Sequence, residues 1–467
     1  MNRPVLRVLD LSVRDKIGNL LVDGVCFTVT HGSAFVLIGE TGSGKSLVAQ
    51  AVFGLLPEGL SASGRFEFDG KPVDLADSVA LQSYWVGYLA LVPQEPRSSL
   101  DPTMRLLPQV AGTAHPLRAR AALNSVNLHK VIDRYYPFML SGGMAQRALV
   151  AGALATDATL IIADEPTKGL DDDRVEEAIS RLRQVLVQGR ALLAITHDIR
   201  VARGLGGQLA VMRGGRILEQ GRVEDVTSAP RHPYTRDWLA AYPDRWRSHR
   251  TVVADDSMLE AQRLTYKIGK RSLFNDLSFT LQRGSVTALI GPSGSGKTML
   301  GNVLLGLARP HSGRVLWRDK TDPNLDRRLP LRSRYQKLHQ DPVSAFVPGR
   351  ILRRQFADLR SVLPAVCLNR DLPPLFERLQ ISTSLLDRRP DQVSGGELQR
   401  IAIARTLLFD PVCLVADEPT SRLDPLVQRG VIEHLCDLVR ERNMSLVIAS
   451  HDRRLTHAIA DQVIEIG

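Results

Sequence analysis

The chain has 467 residues, and its 60 lysines and arginines against 50 aspartates and glutamates give a formal charge of +10, a surplus that suits anionic partners. Hydrophobic residues make up 44% and charged residues 24%, which is typical of a globular protein with a sizeable core. The most apolar stretch, Ala148 to Ala163, is too short to span a bilayer, and four cysteines without metal-binding spacing exclude a disulfide framework or a zinc-finger protein.

The first recognisable motif is a glycine-rich loop, GETGSGKS, at Gly39–Ser46. A predicted strand, Ala34–Ile38, precedes it, and a predicted helix, Leu47–Leu56, follows it. The loop matches G-x-x-x-x-G-K-[ST], so its backbone N–H groups should face phosphate oxygens at a helix N-terminus. Lys45 should reach the β- and γ-phosphates, and Ser46 should ligate Mg²⁺. The glycines expected to bind nucleotide are Gly39, Gly42 and Gly44.

Two later apolar segments, Leu160–Ala163 and Ala191–Thr196, are predicted strands that end in polar residues. Asp164 and Glu165 follow the first strand, and His197 follows the second. In a P-loop enzyme the first acid belongs to the metal shell, and the second orients and deprotonates the attacking water. Alone, an acidic pair or a histidine at a strand end is weak evidence, because structural residues also occur there.

A turn of sequence SGG, Ser141–Gly143, stands between the glycine-rich loop and the acidic strand. Two glycines let the backbone approach an anion, and the start of the following helix adds the positive end of its dipole. Alone, SGG is most often a flexible turn. Its function depends on what else surrounds it.

The whole series recurs in the second half of the chain. The P-loop lysines differ by 252 positions (297 − 45), the SGG serines by 253 (394 − 141), the glutamates by 253 (418 − 165) and the histidines by 254 (451 − 197). Four motifs in one order and register identify an internal duplication. The corresponding residues are Gly291, Gly294, Gly296, Lys297, Thr298, Ser394, Gly395, Gly396, Asp417, Glu418 and His451.

Strands alternate with helices in each half, and a polar group ends each strand. This pattern predicts an α/β fold with an open parallel sheet. The predicted first domain is 1–243, including a C-terminal tail with the sequence HPYT. The charged, turn-rich segment 244–256 is the predicted linker, and 257–467 is the predicted second domain.

The segments LSGGMAQR (Leu140–Arg147) and VSGGELQR (Val393–Arg400) make the chain resemble the ABC ATPases along essentially its whole length. The resemblance implies two P-loop NTPase domains. Each would have a mostly parallel sheet core with an antiparallel β edge and a helical subdomain. It also implies that the two cassettes pair within the chain, so that the SGG signature of each completes the other's ATP site.

By this resemblance, Gln94 and Gln340 are glutamine-loop residues that touch the metal and the γ-phosphate, and Asp171 and Asp424 belong to the D-loops. One implied site joins Lys45, Ser46, Gln94, Asp164, Glu165 and His197 to Ser394, Gly395 and Gly396. The other joins Lys297, Thr298, Gln340, Asp417, Glu418 and His451 to Ser141, Gly142 and Gly143.

The expected catalytic residues are Glu165, Glu418, His197 and His451. The expected metal shells are Ser46, Gln94 and Asp164, and Thr298, Gln340 and Asp417. Tyr266 is a candidate to stack on adenine in the second half, and the first half shows no equivalent aromatic residue.

Three segments resemble the ATPases of bacterial oligopeptide, dipeptide and nickel importers: Tyr136–Arg147, Pro93–Pro102 and the HPYT sequence at His232–Thr235. The implied cofactors are ATP and Mg²⁺. The implied partners are two integral-membrane permeases and an extracytoplasmic solute-binding protein, with no nucleic acid. This places the chain at the cytoplasmic face of the bacterial inner membrane. Peptides, nickel or metal chelates of peptide size are the implied ligands.

Two alternatives stay open. A soluble tandem cassette acting on ribosomes or nucleic acid is compatible with the positive charge, although such proteins resemble one another in a long charged linker that this chain does not have. An exporter with separate permeases is the other.

Overall fold

The structure is a computed structural model that describes residues 3–466 except 74–77, 86, 95–98, 113, 129–133, 168–169, 171, 247–255, 293, 318–332, 365 and 421–422. The chain divides into two compact units, Met1–Leu239 and Ala240–Gly467. The first residues of the predicted linker belong to a 3₁₀ turn of the second unit, Pro243–Arg245, where Asp244 accepts a hydrogen bond from Arg454 at 3.4 Å. Residues 247–255 of that linker lie outside the described residues. The domain limits 1–243 and 257–467 stay a prediction.

Two sheets form the first unit. In the described residues, four strands form an antiparallel sheet in the order β2-β1-β4-β5, and six form a second sheet in the order β10-β9-β3-β8-β7-β6. The second sheet is parallel from β9 to β6, and β10 pairs antiparallel with β9. The strands are β1 (Pro4–Arg14), β2 (Leu20–Thr30), β3 (Ala34–Gly39), β4 (Ser61–Phe68), β5 (Lys71–Val73), β6 (Leu89–Val92), β7 (Leu160–Asp164), β8 (Ala191–Thr196), β9 (Gln208–Arg213) and β10 (Arg216–Arg222).

Helices of the first unit pack against these sheets, and three of the helices lie between β6 and β7 in the chain. They are α1 (Lys45–Phe53), α2 (Ser78–Ser83), α3 (Leu106–Ala111), α4 (Pro116–Ser125), α5 (Gly142–Ala155), α6 (Asp172–Val187), α7 (Ile199–Leu205), α8 (Val223–Ser228) and α9 (Pro233–Ala240), with a 3₁₀ turn at Pro137–Met139. Helix α1 ends three residues earlier than the sequence predicts, because Gly54 adopts a left-handed conformation with φ 74° and caps it.

The second unit repeats this plan. Three strands form an antiparallel sheet, β12-β11-β14, and five form a parallel sheet, β15-β16-β17-β13-β18, within the described residues. The strands are β11 (Ser257–Ile268), β12 (Arg271–Gln282), β13 (Val286–Ile290), β14 (Ser312–Trp317), β15 (Tyr335–Leu338), β16 (Cys413–Asp417), β17 (Ser445–Ala449) and β18 (Gln462–Glu465). The helices are α10 (Lys297–Leu304), α11 (Leu352–Ala357), α12 (Leu368–Arg378), α13 (Gly395–Leu407), α14 (Pro425–Arg442) and α15 (Arg453–Ile459). The 3₁₀ turns are Pro342–Ala345, Asp358–Ser361, Thr383–Asp387 and Pro390–Gln392.

Apolar side chains from both sheets of the first unit meet in one core. Leu6 of the antiparallel sheet, Leu37 of the parallel sheet and Val48 of α1 are fully buried in it. In the second unit, Leu259, Leu300 and Val447 occupy the equivalent layer. Burying one such side chain contributes about 1.5–3 kcal/mol, so this layer helps to hold the two sheets of each unit together.

No helix in the part of the chain that the structure describes is long and apolar enough to cross a membrane. The α/β fold predicted from the sequence is confirmed, including the parallel core and the antiparallel edge of each unit.

Candidate nucleotide site

Four parallel strands of the first unit, β3, β8, β7 and β6, are consecutive neighbours in the sheet. Their carboxyl ends therefore meet at one edge, where α/β folds bind ligands. The glycine-rich loop follows β3, His197 follows β8, Asp164 ends β7, and Gln94 lies two residues after β6. The sheet topology thus brings together side chains that are up to 152 positions apart in the sequence (197 − 45).

The loop lysine of each unit bonds to its own loop. Lys45 Nζ donates to the carbonyl oxygens of Gly39 (2.8 Å) and Glu40 (2.6 Å) and to Ser43 Oγ (3.1 Å). Lys297 Nζ donates to the carbonyls of Gly291 (2.7 Å) and Pro292 (3.0 Å). Both lysines are buried, and their ammonium groups donate hydrogen bonds to backbone carbonyls.

Only glycine fits the position that opens each loop. A Cβ on Gly39 would lie 2.1 Å from the carbonyl oxygen of Met212, and one on Gly291 would lie 2.1 Å from that of Ile466. The φ angles there are 155° and 149°. The loop backbone therefore passes directly against the neighbouring strand and forms a cradle that a side chain would fill.

Glu165 and Glu418, the predicted catalytic glutamates, each lie directly after a strand, β7 and β16. Glu165 has φ 50° and donates its N–H to the Ile195 carbonyl (2.7 Å). Glu418 has φ 47° and donates to the Ala449 carbonyl (2.8 Å). A left-handed backbone at a residue with a Cβ costs on the order of 1–3 kcal/mol and persists where surrounding structure imposes it. This kink carries the side chain towards the end of the next strand.

There the glutamate meets the predicted switch histidine. His197 Nδ1 lies 2.9 Å from the Glu165 carboxylate, and Thr196 Oγ1 donates to the same carboxylate at 3.4 Å. Burial disfavours the imidazolium, but the charge and hydrogen bond of Glu165 outweigh it, so the pKa of His197 lies above its ordinary value.

The second unit has the same pair and one further contact. His451 Nδ1 lies 2.9 Å from Glu418 Oε1, and Gln340 Nε2 donates to Glu418 Oε2 at 2.7 Å. Burial alone would raise the pKa of Glu418, but the hydrogen bond and charge of His451 and the charge of Lys297 lower it by more. The pKa of Glu418 therefore lies below its ordinary value. Gln340 and His451 thus hold the two oxygens of one carboxylate.

A cavity of about 270 Å³ opens at this edge of the first unit. Its lining contains seven of the predicted site residues: Gly42, Gly44, Lys45, Ser46, Gln94, Glu165 and His197. Leu21, Thr41 and Leu47 complete it. Asp164 is buried at the end of β7, next to Glu165. The hydroxyl, amide and carboxylate oxygens of Ser46, Gln94 and Asp164 are hard donors of the kind that Mg²⁺ prefers, so the donor set fits that ion.

Within the first unit, Ser141–Gly143 is not part of the lining of this cavity. Ser141 and Ser394 instead cap helices α5 and α13, where their hydroxyls accept from Met144 N and Glu397 N, each at 3.3 Å. Glu397 also accepts from Ser394 N at 3.1 Å and completes a capping box. Gly142 and Gly395 open the helices and are exposed, and Gly143 and Gly396 follow them and are partly exposed.

The structure also shows the surroundings of Tyr266 and of one of the two predicted D-loop aspartates. The Tyr266 ring packs edge-on against His311 (5.2 Å between centroids) and beside Phe274 (6.0 Å), half-buried in the antiparallel sheet. Asp424 caps α14 by accepting from Val427 N at 3.1 Å, whereas Asp171 lies outside the described residues.

Sequence reasoning missed a lysine next to the second site. Lys337 of β15 donates to Asn302 Oδ1 of α10 at 2.7 Å. Burial lowers its pKa, and the charge of Asp417 partly opposes this. The first unit has Leu91 at this register, since Leu91 pairs with Ile162 in the sheet as Lys337 pairs with Val415. The sequence signal that could have found it is a lysine between the buried Tyr335 and Leu338 of this short strand.

Comparisons with known proteins identify the family and the fold. The sequence model of the ABC transporter family matches residues 22–168 and 274–421. Over 99% of this chain, 32% of residues are identical to the peptidoglycan transport ATP-binding protein YejF of Agrobacterium fabrum, 91% of which is covered. The glutathione import ATP-binding protein GsiA of Escherichia coli K12 is 30% identical over 99% of this chain and 86% of its own length. The crystal structure of the archaeal ribosome recycling factor aABCE1 superposes with a TM-score of 0.68, covering 98% of this chain and 87% of that one. At 20% identity, that likeness shows the fold alone.

Proposed function

This chain belongs to the ABC transporter family, as an ATPase with two cassettes that serves an importer, and on that premise we propose that its importer takes up small peptides. The named cargo of GsiA, glutathione, is itself a peptide, and the cargo of YejF, peptidoglycan, carries peptides. Nickel and metal chelates of peptide size remain candidates that the motif resemblance alone supports.

The pairing of Glu165 with His197 in one cavity with Lys45 is the observation that carries the proposed ATP chemistry. Lys45 turns from the Gly39 and Glu40 carbonyls to the β- and γ-phosphates of ATP. Glu165 orients a water molecule and takes its proton as the water oxygen attacks the γ-phosphorus and the bond to the bridging oxygen breaks. His197 holds the Glu165 carboxylate and reaches the γ-phosphate. Lys297, Glu418 and His451 do the same in the second unit.

Mg²⁺, when bound, would act as a Lewis acid that offsets the negative charge of the phosphates. Ser46, Gln94 and Asp164 would hold it in the first unit, and Thr298, Gln340 and Asp417 would hold it in the second. Gln94 and Gln340 also follow the edge strands β6 and β15, which is a position suited to sensing a partner beside the sheet.

The proposed partners are two permeases in the bacterial inner membrane, with this chain at their cytoplasmic face, and an extracytoplasmic binding protein that delivers the ligand. An affinity-tagged chain should be isolated from native membranes and the accompanying proteins identified by mass spectrometry. Recovery of two multi-spanning permeases is the expected result. Recovery of ribosomal proteins without permeases would refute transport and favour the ribosome-associated alternative.

The ligand class needs its own experiment. The co-purified binding protein should be titrated with a peptide library, glutathione, peptidoglycan-derived peptides, Ni²⁺ and Ni²⁺–histidine. Binding of peptides in preference to the nickel compounds is expected. A binding protein that takes only the nickel compounds would contradict the peptide proposal and leave the importer assignment unchanged.

A further inference from the structure

An arginine at the end of β9 connects the C-terminal tail of the first unit to its phosphate-binding loop. Arg213 Nε lies 3.4 Å from Glu40 Oε1, and Glu40 is the second residue of the loop. On its other side, the Arg213 guanidinium carbon lies 4.7 Å from the centre of the Tyr234 ring. Both distances are within the range of favourable charge–charge and cation–π interactions.

The tail that presents Tyr234 is firmly attached to the unit. Glu219 of β10 accepts hydrogen bonds from the backbone N–H groups of Arg231 (2.8 Å) and His232 (3.0 Å), just before α9 begins. His232 Nδ1 caps α9 by accepting from Tyr234 N at 3.1 Å. Tyr234 is 5% exposed and Trp238 is fully buried. The ring beneath Arg213 is therefore fixed by packing.

Glu40 occupies a sensitive position. Its carbonyl oxygen accepts from Lys45 Nζ at 2.6 Å, so its backbone borders the place where phosphate is proposed to bind. A carboxylate on the same residue repels a triphosphate unless a cation offsets its charge. Arg213 is a cation that contacts the Glu40 carboxylate. The second unit has Pro292 at the corresponding position, which carries no charge and needs no such partner.

We propose that Arg213 is a positioning residue that neutralises Glu40 beside the first phosphate-binding loop, and that the Tyr234 ring of the tail holds Arg213 in place. The inference rests on the proposed binding of ATP at Lys45. It gives the tail a role in setting the ATP affinity of the first unit. The second unit lacks the corresponding loop carboxylate.

The test uses the full chain carrying Lys297→Ala, so that calorimetric titration with ATP and Mg²⁺ reports on the first loop. Arg213→Gln should weaken ATP binding about threefold at low ionic strength, because it leaves Glu40 uncompensated, and the difference should shrink at 1 M salt. In a Glu40→Gln background, the same Arg213→Gln change should have no effect. Arg213→Lys should keep the affinity within about twofold of the parent.

The tail is tested by Tyr234→Leu, which keeps apolar volume but removes the ring face. We expect about the same loss as for Arg213→Gln, again absent in the Glu40→Gln background. Arg216→Gln is the matched control, because Arg216 is also an exposed arginine of this hairpin but pairs with Asp23. It should bind ATP like the parent. Arg213 is itself 55% exposed, so its variants should fold even if Tyr234→Leu does not.

The possible outcomes distinguish a failure of the proposed first ATP site from a failure of the proposed role of Arg213. No ATP binding in the Lys297→Ala parent would overturn the proposed first site, and this inference with it. Normal ATP binding that Arg213→Gln leaves unchanged, or a loss that persists in the Glu40→Gln background, would overturn the inference alone. Full ATP affinity in a folded Tyr234→Leu variant would show that the tail has no part in holding Arg213.

Discussion

His197 Nδ1 lies 2.9 Å from the Glu165 carboxylate, at the ends of two neighbouring parallel strands. His451 and Glu418 repeat this separation in the second unit. An ion pair of this kind keeps the carboxylate charged and oriented before substrate arrives. In each unit the glutamate proposed to activate water is therefore held by the histidine proposed to detect the γ-phosphate.

Glu165→Gln and Glu418→Gln should each lower the rate of phosphate release from its own unit by about 10²–10⁴-fold, the contribution typical of a general base, and the double variant should show this loss in the steady-state rate of the whole chain. ATP affinity should be retained, because the amide keeps the shape of the side chain and removes no phosphate contact. Phosphate release and equilibrium ATP binding should be measured on the same preparations.

The control for that pair is Glu224→Gln, which changes an exposed acid in α8, outside the cavity lining. It should turn over ATP at the wild-type rate. Wild-type turnover in both active-site variants would mean that neither glutamate is the base.

The His197–Glu165 contact also predicts a pH dependence. The pKa of His197 in the folded chain should lie above the value of about 6.5 of a free histidine, and Glu165→Gln should lower it, since burial and the charge of Lys45 are then opposed only by the charge of Asp198. Because the folded-state pKa is raised, the stabilisation from this histidine is complete below about pH 6.5 and is lost as pH rises through the folded pKa.

NMR titration of the histidine ring protons measures the pKa directly. The melting temperature of the wild-type chain should exceed that of Glu165→Gln by more at pH 6 than at pH 8.5. The opposite pH trend would contradict the assignment of a raised pKa.

Lys45→Ala and Lys297→Ala should each abolish nucleotide binding at one loop and leave the other loop competent. The lysine ammonium is the one cation that each loop motif provides for the phosphates. Calorimetric titration with ATP should give about half the wild-type stoichiometry for each single variant. Wild-type stoichiometry in either variant would contradict the one-loop, one-nucleotide assignment.

Gly39→Ala should destabilise the first unit and eliminate its ATP binding, because the new Cβ would lie 2.1 Å from a backbone carbonyl that cannot rotate away. Overpacking of this kind costs about 1–3 kcal/mol, and the positive φ adds about 1 kcal/mol. Gly42→Ala is the matched comparison, since its Cβ would meet nothing within 4 Å and only the backbone cost remains. Equal melting temperatures for the two variants would show that the close approach at Gly39 is not structurally important.

The sequence was sufficient to predict the strands that carry the site. The strand Ala191–Thr196 has the predicted limits, because a largely apolar run of this length bounded by polar residues has few other structures open to it. The fixed spacing of the motifs then placed their residues at one sheet edge, since parallel strands end together. Helix ends were less accurate, because α1 stops where Gly54 turns left-handed.

The contacts within the site could not be derived in that way. The Arg213–Glu40 pair spans 173 positions (213 − 40) and depends on the register of β9 against β3, where Met212 faces Gly39. The Gln340–Glu418 hydrogen bond depends on two side-chain conformations and on the left-handed backbone of Glu418. Neither residue type nor spacing specifies these conformations.

The self-bonded loop lysines have a thermodynamic consequence. If a triphosphate binds at the loop as proposed, its oxygens would compete with the carbonyls of Gly39 and Glu40 for the Lys45 ammonium. For this lysine, the proposed binding would then be an exchange of hydrogen-bond acceptors, and its contribution to the binding free energy would be a difference between two hydrogen-bonded states. Small perturbations of the competing carbonyls, such as a shift of Glu40, can therefore change nucleotide affinity as much as the loss of a direct phosphate contact.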